Sequence, residues 1–84
     1  MKADSELVQH LGSKPDAEFR VLVRVADQAP LYQNAVSEHG LVVERVFRLT
    51  KTIAARGAGR RVLALLDESW VERIELDREV KAMT

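Results

Sequence analysis

Eighty-four residues, 46% hydrophobic and 31% charged, suit one ordinary globular domain rather than a disordered chain or a multidomain protein. Thirteen basic and thirteen acidic side chains cancel, so the chain as a whole exerts no pull on nucleic acid or an anionic membrane. Without cysteine there is neither a disulfide frame nor a thiolate metal site, and His10 and His39 alone make no histidine-rich metal site, so no cofactor is expected.

Met1 to Ala17 reads as a leader, either poorly ordered or a short helix. Leu7, Val8 and Leu11 supply an amphipathic turn and a half that Gly12 stops, and Pro15 drives Lys14 towards an extended conformation. Asp4 and Glu6 break any apolar core, so the segment is no secretory signal. No apolar run approaches the roughly 18 residues that span a bilayer. As written, the chain is expected in the cytoplasm, or outside the cell if it is part of a longer exported precursor.

The domain proper is expected over residues 18–84. Glu18 to Ala26 has the period of a strand: Phe19, Val21, Val23 and Val25 alternate with Arg20, Leu22 and Arg24, which face solvent or a partner. Pro30 opens a helix from Leu31 to Glu38, with Leu31 and Ala35 inward beside Tyr32 and Val36, and His39-Gly40 ends it. Leu41 to Leu49 alternates again, placing Leu41, Val43, Phe47 and Leu49 on a buried face and Glu44 and Arg48 opposite. Arg45 interrupts the buried side and demands either snorkelling at the sheet's edge or a bulge. Thr50-Lys51 forms a turn, Thr52 to Arg56 a weaker strand around Ile53, and Gly57-Ala58-Gly59 a loop. Val62, Leu65 and Leu66 then mark a short helix, Asp67 to Ser69 a turn, and Val71, Ile74 and Leu76 a final strand. Strand, helix, strand, strand, helix, strand is the α+β, ferredoxin-like βαββαβ order: an antiparallel four-stranded sheet with two helices on one face.

Catalysis is hard to assemble from these residues. Ser37 and His39 stand two apart around a helix end, a poor arrangement for a nucleophile and its base. Asp67, Glu68, Glu72, Glu75, Asp77 and Glu79 cluster in the last quarter, in a terminal turn and edge strand, where they are expected wet rather than tuned for proton transfer. Arg45, Arg48, Lys51, Arg56, Arg60 and Arg61 raise single-stranded RNA as a third reading. That mode needs aromatic side chains on an open sheet face; the first strand offers none and Phe47 is assigned to the core, so no nucleic-acid partner is expected. Trp70 is expected to plug the core's edge.

Leu65-Leu66, followed by Val71, Ile74, Glu75 and Asp77 and then Arg78 to Thr84, resembles the closing helix, turn and strand of the subtilisin propeptide and proteinase inhibitor family. There the strand reads V-x-x-I-E-x-D before a short extended tail. The resemblance covers element order from Phe19 to Thr84, and motif over the last third. It implies a ferredoxin-like domain that is not an enzyme but an inhibitor or intramolecular chaperone of a subtilisin-like serine protease. In such a role the sheet face, with Arg20, Leu22 and Arg24, packs on the protease. Val80, Lys81, Ala82, Met83 and Thr84 lie extended in its cleft, held by main-chain hydrogen bonds with alternate side chains in pockets. The chain departs from the family pattern at Thr52-Ile53-Ala54-Ala55, where members often carry G-F-x-A, at Leu76, where they often carry proline or an acid, and in its leader. The alternative is a protein-interaction or oligomerisation module of the same fold without protease binding; homodimer formation stays open.

Overall fold

The alternation in β1 (Glu18–Val25) makes the strand on which the sheet is assembled, in a computed structural model that describes residues 2–77. Val21, Val23 and Val25 are fully buried, while Arg20 and Arg24 on the opposite face are exposed. β-Branched residues at alternate positions fit a pleated surface with one covered side. β3 (Thr52–Ala58) and β4 (Val71–Leu76) flank β1 and β2 (Val42–Phe47) lies outside β3, giving the order β2-β3-β1-β4 with every pair antiparallel. With helices in the two crossovers, this is the ferredoxin-like arrangement.

Two bulges decide which side chains face which way. In β2 the pairing passes from Val43 opposite Ala55 to Arg45 opposite Ala54, leaving Glu44 as an extra residue. Val43 and Val46 therefore point inwards, whereas Arg45 and Phe47 turn to the other face. This corrects the sequence expectation for Phe47, which sits 37% exposed on the open side, and for Leu49, which is fully exposed in the hairpin turn. β4 repeats the device. Val71 pairs with Val25 but Arg73 with Arg24, so Glu72 is the extra residue, and Val71 and Ile74, three apart, both reach the core.

Helix α2 (Gln33–Glu38) is preceded by a 3-10 turn, Ala29–Tyr32, started by Pro30. The tighter turn changes the phase of the inward face: Ala29 and Val36 are fully buried, and Leu31, expected inside, is 67% exposed. Gly40, with φ of 89°, adopts the left-handed conformation that lets the chain turn into β2. The segment expected as a Gly-Ala-Gly loop is instead the end of β3 running straight into helix α3 (Gly59–Leu65); Gly57 and Ala58 pair with Phe19 and Glu18.

Helix α1 (Ser5–Ser13) packs on α3 and places Leu7 and Leu11 in the common core. Two things fasten it. Gly59 N–H donates to Ala17 O and Arg60 N–H to Pro15 O, each at 3.0 Å, joining the turn after α1 to the first residues of α3. At the other end Lys2 O accepts from Ile74 N–H at 2.8 Å, and Lys2 Nζ donates to Leu66 O at 3.0 Å and Glu68 O at 2.6 Å. Those carbonyls belong to the end of α3 and the following turn, where a cation satisfies groups that the helix leaves unpaired. Among the described residues, one sheet face is roofed and the other is bare.

Candidate functional site

The bare face is built in three rows across the sheet. Register alone puts Val42, Arg56 and Arg20 in one row, Arg45, Ala54, Leu22 and Glu75 in the next, and Phe47, Thr52, Arg24 and Arg73 in the third. Asp77 extends the first row, its N–H donating to Arg20 O at 2.9 Å. The middle is apolar, Leu22 and Ala54 side by side, and the surround is charged.

Like charges directly opposite on neighbouring strands destabilise a sheet unless something lies between them. Arg20 faces Arg56, and Glu44, displaced outwards by the bulge, reaches both: Arg56 Nε lies 3.0 Å from one carboxylate oxygen and Arg20 Nε 3.8 Å from the other. Arg56 also donates to Glu18 at 2.8 Å. The hydrogen bonds to Glu18 and then Glu44 hold its guanidinium above its ordinary pKa. Arg24 faces Arg73, which is engaged by Glu75 at 2.7 Å and Asp4 at 3.3 Å and is raised chiefly by the Glu75 bond. Arg24 enters no ion pair among the described residues. Arg45 lies over the Phe47 ring, 5.8 Å from its centroid, a cation–π contact at an exposed edge.

Two shallow depressions flank Leu22. One of about 210 Å³ is lined by Arg20, Glu44, Arg45, Phe47, Ala54 and Asp77, the other of about 100 Å³ by Leu22, Arg24, Thr52, Arg73 and Glu75. A third hollow of about 320 Å³ runs between α1 and β4, bounded by Asp4, Glu6, Leu7, His10, Ile74, Glu75 and Leu76. Elsewhere the polar residues have structural work. His39 Nε2 lies 2.8 Å from Glu68 Oε2, joining the end of α2 to the turn after α3. Trp70 stacks on Tyr32 at 4.9 Å between centroids and an interplanar angle of 8°. Among the described residues no group of three or more His, Asp or Glu side chains is placed to hold a metal ion. No described helix is long and apolar enough to cross a membrane.

Of the residues expected to meet a partner, Arg20, Leu22 and Arg24 share this face, as their alternation demands. Val80, Lys81, Ala82, Met83 and Thr84 lie outside the described residues. Sequence reasoning left Arg45 between snorkelling and a bulge and put Phe47 in the core; the structure has the bulge, which brings both residues onto this surface. The fold and the site together define a ferredoxin-like α+β domain with one charge-laced sheet face that no described helix covers. No protein-family model matches the chain, and neither a curated protein nor a solved structure matches it.

Proposed function

We propose that this chain is a binding domain rather than an enzyme, and that its open sheet face docks on a protein partner. The observation that carries the reading is the composition of that face. A half-buried Leu22 beside Ala54 forms a small apolar centre, ringed by arginines and the exposed Phe47. Arginine and aromatic side chains around a desolvatable centre suit protein interfaces.

The partner proposed is a subtilisin-like serine protease, on the strength of the V-x-x-I-E-x-D phrase from Val71 to Asp77. Asp77 stands at the corner of the open face, so the sheet and the residues that follow it would engage one partner together. Inhibition would come from the tail in the cleft, and chaperoning from preferential binding to the protease's native state. The same fold without protease affinity remains the alternative, a general protein-interaction module. Single-stranded RNA gains Phe47 as one stacking surface, but Glu18, Glu44, Glu75 and Asp77 share the face with the arginines, and a lone aromatic at an edge supports protein docking better.

A titration of the chain against a subtilisin-type protease tests the reading. Competitive inhibition in the micromolar range or tighter, lost on deleting Val80 to Thr84 and weakened by Leu22→Asp, is expected. Protease activity unaffected by the intact chain removes the protease, and salt-sensitive binding to single-stranded RNA in its place would favour the nucleic-acid reading.

A further inference from the structure

The sheet has two edges, and they are finished differently. On the β4 side the chain's own Lys2 carbonyl takes the outward N–H of Ile74. β2 is last in the strand order and has no neighbour beyond it among the described residues. An open edge is ordinarily protected by proline, charged side chains (lysine above all), bulges or a covering segment. β2 has a bulge and the charges of Glu44 and Arg45, but no proline or lysine. Among the described residues, the large apolar side chains that stand exposed gather at this edge instead: Val42 at 47% and Phe47 at 37% on the strand, Leu49 just past it, and Leu31 on the 3-10 turn that packs against it.

We propose that β2 pairs antiparallel with β2 of a second copy, making a two-fold dimer with one continuous eight-stranded sheet. The strand reads V-V-E-R-V-F. Turned end for end about a point between Glu44 and Arg45, it sets Val43 opposite Val46, Val42 opposite Phe47, and each Glu44 against the second copy's Arg45. Residues directly opposite in an antiparallel pair must share a face, and in a regular strand Val42 and Phe47, five apart, would not. The bulge removes the conflict. With Glu44 as the extra residue, Val42 and Phe47 both lie on the open face, and Val43 and Val46 both on the roofed one. The surface is therefore complementary to itself in apolar contact and in charge, as a two-fold interface requires.

Sedimentation equilibrium on the intact chain tests this, with each variant's fold checked by circular dichroism. The wild type is expected to shift with concentration from 9.5 kDa towards twice that mass. Arg45→Glu and Glu44→Arg each set like charges opposite one another and are expected to weaken self-association about tenfold or more. An equimolar mixture of the two restores opposite charges across the interface and is expected to associate as tightly as the wild type. A wild type that stays monomeric at about 500 μM overturns the proposal. So does a dimer indifferent to Arg45→Glu, or a mixture no tighter than its components. None of these outcomes depends on whether the open face binds a protease.

Discussion

Replacing Gly59 by alanine separates helix propensity from packing, because the two predict opposite signs. Gly59 is the first residue of α3. Alanine in a helix is favoured over glycine by up to about 1 kcal/mol, so propensity alone predicts a more stable protein. The structure predicts the reverse. A Cβ built at Gly59 would stand 2.7 Å from Leu11 O, 3.0 Å from Lys14 O and 3.1 Å from Phe19 Cε2. Two of those atoms are backbone at the end of α1, held close by the Gly59–Ala17 and Arg60–Pro15 hydrogen bonds, so they cannot swing aside as a side chain would. Overpacking costs about 1–3 kcal/mol, and the upper part of that range, about 2–3 kcal/mol, applies where backbone must move, leaving a net loss of about 1–2 kcal/mol after the propensity gain. For a domain of this size that lowers the Tm by about 5–15 °C. Gly12→Ala is the internal control. It lies within α1, nothing stands within 4 Å of its added Cβ, and it is expected to be neutral or stabilising by up to about 1 kcal/mol. Urea and thermal melts followed by circular dichroism measure both. If Gly59→Ala stabilised the protein as Gly12→Ala does, α1 would not be seated against the start of α3, and the reasoning would fail.

The other predictions probe the same seating and its far end. Leu11→Ala, at a fully buried position, is expected to cost about 2–5 kcal/mol in urea melts, as a core truncation does; a loss under about 1 kcal/mol would mean that α1 is peripheral. Lys2→Met keeps the stem and removes the donor to Leu66 O and Glu68 O, and should cost about 1 kcal/mol. Hydrogen exchange in that variant is expected to rise first at Ile74, whose N–H is held by Lys2 O; unchanged exchange there would contradict the clamp.

How far the sequence foretells this molecule depends on whether each strand is regular. β1 is legible because nothing interrupts its alternation, and with it come Arg20, Leu22 and Arg24 on one face. β2 and β4 each carry a bulge, and one extra residue exchanges the faces of everything beyond it. Strict alternation therefore assigns Phe47 to the core when it lies outside. It also leaves Val71 and Ile74 three apart, a spacing that suits a helix better than a plain strand. Gly57 and Gly59 look like a loop because glycine marks loops most often. Here Gly57 continues β3, and Gly59 is small because the end of α1 passes over it. That packing joins residues more than 40 apart, so no local pattern records it. Arg20 and Arg24 are legible from β1 alone; Arg45, Arg56 and Arg73 join them, and the carboxylates Glu18, Glu44 and Glu75 become partners of this face, only once the register is known.

Docking through the uncovered sheet face is tested most directly by an amide chemical-shift titration of the isotope-labelled chain with an inactivated subtilisin-type protease. The account predicts saturable shifts that follow the open-face rows, strongest around Leu22, Arg24, Ala54 and Arg45, and weak on α2 and α3. Absence of shifts at about 100 μM protease, or shifts gathered on the helical side, would contradict it.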